Sequence, residues 1–113
     1  MRAYLALTLI ATGLLTGCVP TEKQYDAAVR VVRGSESQRN GLLDECIRQV
    51  GFSDKKARHN AAVALNVADK DAPKAFCSRY TNAIVSGDIT YQDTLDMKNH
   101  RYTPKLIKIF RGG

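Results

Sequence analysis

The side chains of this 113-residue chain that could carry chemistry are few. They are Cys18, Cys46 and Cys77, His59 and His100, and a serine three residues ahead of a lysine in Ser53-Asp54-Lys55-Lys56. A serine and lysine at that spacing form the nucleophile motif of a much larger enzyme fold, which also needs Ser-Asp-Asn and Lys-Thr-Gly motifs. Neither occurs here, and a capped helix start explains the four residues, with Ser53 as N-cap and Asp54 in the first turn. A catalytic zinc site takes about three nitrogen, sulfur or carboxylate ligands. Two histidines with no HExxH or CxxC around them do not suggest one. His59 reads as a helix-surface residue and His100 as part of a basic segment. The acids are scattered among bases as on solvated helix faces, and no glycine-rich phosphate loop is present. We therefore expect no enzyme, no metal and no dissociable cofactor.

Cys18 has a more specific setting. Met1 and Arg2 give a positive start, and residues 3–15 are apolar and uncharged. At about 13 residues this run is short of the roughly 20 needed to cross a bilayer, and it has the length of the hydrophobic region of a cleavable export signal. It ends in Leu15-Thr16-Gly17-Cys18. That order, after a charged start and an apolar core, resembles the lipobox of bacterial lipoproteins. The resemblance covers residues 1–18 only. It implies diacylation of the Cys18 thiol, cleavage between Gly17 and Cys18, and a further acyl chain on the new amino terminus. Two or more chains hold a protein firmly to a membrane where one does not. By the sorting rule of enteric lipoproteins, Val19 in place of an aspartate implies the outer rather than the inner membrane, with the domain in the periplasm.

Removal of residues 1–17 would leave 96 residues, one small domain that buries only about 60–65% of its unfolded surface. Such a domain gains from a covalent staple. With Cys18 taken by lipid, Cys46 and Cys77 remain as a pair, and disulfides persist in exported proteins. The bond would contribute roughly 3–4 kcal/mol by the loop-entropy estimate. Two separate buried thiols, or an intermolecular bond, are the alternatives.

Charge is unevenly placed. Of 17 basic and 11 acidic residues, five bases and no acid fall in residues 98–113: Lys98, Arg101, Lys105, Lys108 and Arg111. Residues 18–97 hold eleven of each sign. Such a segment can meet anionic lipid, peptidoglycan carboxylates or an acidic protein. Nucleic acid is a poor partner for a lipid-anchored envelope protein.

The elements that would position these groups read as helices. Thr21 and Gln24 form a capping box, followed by Tyr25, Ala28, Val29 and Val32 on one stripe. Gly34 and Ser35 weaken or end that helix. A second runs from about Glu36 to Val50 with Leu42, Leu43, Cys46, Ile47 and Val50 inward. Gly41 costs it roughly 1 kcal/mol against alanine, and one bent helix over 22–50 is the alternative. Gly51 is a natural stop. A third helix should run through Ala57, Ala61, Ala62, Ala64, Leu65 and Ala68, its alanine face permitting close approach of a neighbour. Asp71 and Pro73 open a fourth with Phe76, Cys77, Tyr80, Ala83 and Ile84 inward, closed by Gly87. Thr90 to Asp93 caps a short fifth with Leu95 and Met97. Thr103-Pro104 opens a last one, with Leu106, Ile109 and Phe110 clustered, Ile107 beside them and the bases opposite; Gly112 and Gly113 should fray.

The expected architecture is all-α: a small bundle of four to six short helices with one disulfide, after a cleavable signal peptide. Residues 1–17 are the signal, 18–21 the lipidated terminus, 22–97 the helical domain and 98–113 a basic amphipathic segment. The expected function is that of a non-enzymatic, lipid-anchored envelope protein whose domain is an interaction or accessory subunit of an envelope complex. The alternative is a membrane-surface or peptidoglycan binder acting through the basic segment.

Overall fold

Side-chain caps start most of the helices in this computed structural model, which describes residues 20–50 and 54–112. The lipobox with Gly17 and Cys18, and also Gly51 and Ser53, lie outside the described residues. Helix α1 (Glu22–Gly34) opens on the capping box: the Gln24 amide donates to Thr21 Oγ1 at 3.2 Å and the Thr21 amide to Gln24 Oε1 at 2.9 Å. Ser35 takes an extended backbone, and α2 (Glu36–Val50) resumes at once. There are thus two helices over 22–50 and not one bent helix. Arg39 closes the end of α1 by donating to the carbonyls of Val32 (3.1 Å) and Arg33 (2.8 Å).

Helix α3 (Lys55–Leu65) differs from expectation at both ends. Asp54 is itself the N-cap, accepting from the Lys56 amide at 3.2 Å. The helix stops before Ala68 because Asn66 enters the left-handed region (φ 59°), a conformation asparagine tolerates better than most residues. After a 3₁₀ turn at Asp69–Asp71 comes α4 (Ala72–Ser86), ended by Gly87 at φ 86°. Helix α5 (Tyr91–Lys98) opens on the Thr90–Asp93 capping box. Helix α6 (Pro104–Arg111) opens on Thr103, whose hydroxyl accepts from the Leu106 amide at 3.3 Å.

Helix α4 touches α1, α2, α3 and α6. The buried core draws on its far side: Ala62 and Leu65 of α3, Ala72, Ala83 and Ile84 of α4, then Ile89, Leu106 and Phe110. Phe76 stacks on Phe110 with ring centroids 4.8 Å apart. By contrast, α1 and α2 contain no fully buried residue. The expected stripes do face inward, but Tyr25, Val29, Val32 and the apolar residues of α2 are only half-buried, and Ala28 is exposed.

These two helices are held in other ways. The Tyr25 hydroxyl donates to the Ile89 carbonyl at 2.8 Å, and Arg33 Nε to the Val85 carbonyl at 3.0 Å. Cys46 is bonded to Cys77, with Cα atoms 5.7 Å apart. Arg33 meets the end of α4 and Cys46 its middle, so α2 runs antiparallel to α4. Cys77 is fully buried, so the bond is anchored in the core from one side.

Two predictions follow from this packing. Cys46→Ser, or reduction, should lower unfolding stability by about 3–4 kcal/mol. Hydrogen exchange should then accelerate more in residues 36–50 than in 72–86; equal acceleration would show that α2 is held by packing instead. Nothing lies within 4 Å of a side chain added at Gly41 in α2, so Gly41→Ala should raise stability by about 1 kcal/mol in a denaturant titration.

Candidate functional site

Helix α6 is amphipathic and docks by one edge. Leu106 and Phe110, four residues apart, are buried. The flanks are set by the same period: Ile107 and Arg111 share one, Lys105 and Ile109 the other.

Arg79, on α4, fixes where α6 sits. Its Nη1 donates to the Leu65 carbonyl at 2.7 Å and also to the Phe110 carbonyl. A cation over helix C-terminal carbonyls is favourable both as hydrogen-bond donor and against the helix dipole. One guanidinium therefore holds the ends of α3 and α6 together. Gly112 lies against it in the left-handed region (φ 89°), where a Cβ would stand 3.1 Å from the guanidinium carbon. Gly112 is thus the C-cap of α6; Gly113 lies outside the described residues.

Between α3 and α6 lies an open groove of about 350 Å³. Leu65, Phe76 and Phe110 form its floor, Ala61 and Ala64 one wall, and Tyr102 and Ile107 the other; Arg111 is the one charged residue among its described lining. Tyr102 is 52% and Ile107 46% exposed. The alanine face expected to receive a neighbour is only partly used within the chain: Ala62 is buried and Ala61 half-buried, but Ala57 and Ala64 are exposed.

The five bases of residues 98–113 do not form one free cationic face. Lys105 Nζ lies 2.7 Å from Asp93 Oδ2, and Arg101 lies 3.7 Å from Asp96. Lys98 belongs to the last turn of α5. Lys108 lines a second groove, larger at about 750 Å³, where the polar side chains of Arg79, Asn82, Ser86, Asp88 and Lys105 meet Ala83 and Ile109. Arg111 belongs to the apolar groove.

Asp93 joins α5 to α6. Burial pushes its carboxyl pKa up, but the bonds from Lys105 and from the Thr90 amide (2.8 Å), with the nearby Lys105 charge, outweigh this and hold it below the usual value. The sequence marked Asp93 as a cap only; its lysine partner is on another element. Tyr25 is shifted upward, first by burial and then by the charges of Tyr80, Asp93 and Asp26. Burial alone raises Tyr80.

His59 Nδ1 lies 3.0 Å from Asp69 Oδ1 on an exposed surface, and His100 occupies a turn with φ 57°. Among the described residues no cluster of three metal-ligating side chains occurs, and no helix is long and apolar enough to cross a membrane. Comparison with protein-family models, with curated proteins and with solved structures finds no match to this chain. Among the described residues the fold and surface define a small disulfide-linked helical module with an apolar groove between α3 and α6 and a basic segment docked beside it.

Asp93 generates a pH prediction. A carboxyl with a lowered folded pKa contributes stability that is present above its unfolded value, near 3.9, and is lost as pH falls through the folded value. Below about pH 4 unfolding stability should therefore fall, and Asp93→Asn should flatten that slope while costing about 1–2 kcal/mol at neutral pH. Denaturant titrations of both proteins from acid to neutral pH measure it; identical slopes would exclude Asp93 as the source.

Proposed function

We propose that this chain is a lipid-anchored envelope protein, tethered through Cys18, whose helical domain is a non-enzymatic interaction subunit of an envelope complex. The observation that carries the interaction role is the apolar groove between α3 and α6, with Tyr102 and Ile107 about half exposed beside it. An apolar cleft with a few polar groups at its edge is the default place for a partner or ligand to bind. Support for the anchor comes from the lipobox order Leu15-Thr16-Gly17-Cys18, and Val19 favours the outer membrane. The Tyr91 hydroxyl donates to the Pro20 carbonyl at 2.7 Å, so the domain is in contact with the chain two positions after Cys18. The acyl chains on Cys18 are the only non-protein group this reading requires.

The alternative, binding of anionic lipid or peptidoglycan through the basic segment, is weaker. Each cation near an anionic surface contributes only about 1 kcal/mol, and Arg101 and Lys105 are already paired with Asp96 and Asp93.

Mass spectrometry of the mature protein from its own membranes should find a triacylated amino-terminal Cys18 peptide in the outer-membrane fraction; an intact Met1 would remove the anchor. Ile107→Glu, at a half-exposed position, should change stability by no more than about 0.5 kcal/mol and reduce recovery of a cross-linked envelope partner at least about tenfold, since a buried charge costs several kcal/mol. Undiminished recovery would remove the groove from the interaction.

A further inference from the structure

Resting on that interaction role, we infer that the groove between α3 and α6 receives an amphipathic helix of a partner protein, with an acidic side chain placed to meet Arg111. Three features of the surface lead there.

The first is hydrogen bonding. The groove is lined by apolar side chains, with Tyr102 and Arg111 as its only polar ones among the described residues. The described residues form no strand, so there is no sheet edge on which an extended peptide could satisfy its backbone. A segment buried in such a groove must satisfy its own amides and carbonyls, and a helix does so.

The second is shape. Ala57, Ala61 and Ala64 fall at i, i+4 and i+7, one line along α3. Ala61 is half-buried, while Ala57 and Ala64 are exposed. A row of methyl groups lets a second helix approach closely, within the roughly 8–10 Å axis separation of packed helices. The line also extends past the groove to Ala57, which does not line it. That makes the apolar surface longer than the cavity. An acyl chain or small apolar ligand would instead be enclosed, with about 70–90% of its surface buried; this groove is open and keeps Tyr102 and Ile107 half exposed.

The third is charge. Among the described residues Arg111 is the groove's one charged lining residue, and no acid lines the groove to offset it. A basic partner segment would be repelled and an acidic one steered in. Arg79 holds the C-terminal ends of α3 and α6 together, so the acid belongs at that end of the groove.

The test uses the full chain in its own membranes, with a photo-cross-linking amino acid at Ile107 and, in a second variant, at Val31, which is 55% exposed on α1. Fragmentation of the Ile107 adduct should identify a segment with apolar residues at helical spacing and an Asp or Glu within one turn of them. Arg111→Glu should cut the adduct yield about tenfold, and changing the mapped acid to lysine should restore it. An adduct to lipid, to a second copy of this chain or to a basic or extended segment would overturn the inference, as would no adduct at Ile107. A specific adduct from Val31 alone would overturn the helix occupant and leave the interaction role standing; none from either position would remove both.

Discussion

Helices α1 and α2 lie against α4 without a single fully buried residue of their own, and the bond between Cys46 and Cys77 fastens α2 there covalently. Ordering each backbone residue costs about 1–2 kcal/mol. Half-buried Val29 and Val32, with hydrogen bonds from Tyr25 and Arg33, offset only part of that, because each such bond contributes about 1 kcal/mol net. The disulfide acts on the other side of the balance by restricting the unfolded chain. It also ends on Cys77, one of the most deeply buried residues of α4. A half-buried helix is thereby fastened to a fully packed one.

Arg79 performs a comparable task across α4. It stands two positions after Cys77, which is roughly 200° of rotation in a helix, so the two fastenings leave α4 on opposite sides. Cys77 secures α2, and Arg79 secures the ends of α3 and α6. Helix α4 thus divides a loosely buried helical pair from the main core. The groove lies on the Arg79 side, where the core supplies Leu65, Phe76 and Phe110 as a firm floor.

Features decided within one or two turns were legible in the sequence. Thr21 with Gln24, Thr90 with Asp93, Thr103 before Pro104, and Gly87 all cap as their types and spacing suggest. The cysteine pair was legible because both residues fall on inward stripes. Asn66 was not, because the alanine pattern runs on to Ala68 and only the left-handed turn ends the helix. Arg79 left no local signal either: an arginine on a helix looks solvated, and the carbonyls it meets are 14 and 31 residues away. The basic face in helical projection was sound as a projection, but it omitted Asp93 and Asp96, which α5 brings to Lys105 and Arg101. The groove was half visible, as an alanine face that permits a neighbour; which alanines the chain itself would cover depends on contacts no local pattern encodes.

The modest size of the groove bears on what the proposed membrane anchor would add. A stable protein interface buries about 800 Å² on each partner, which is more than a 350 Å³ groove between an 11-residue and an 8-residue helix can provide alone. Any contact confined to it would therefore be weak. Confinement with a partner changes that, since tethering raises effective concentration toward the millimolar range without any new contact. A tether does this best when it is short, and here Tyr91 already grips the carbonyl of Pro20. Were Cys18 acylated as proposed, that contact would keep the domain at the membrane surface, where a weak groove would meet the proposed partner often enough to stay occupied.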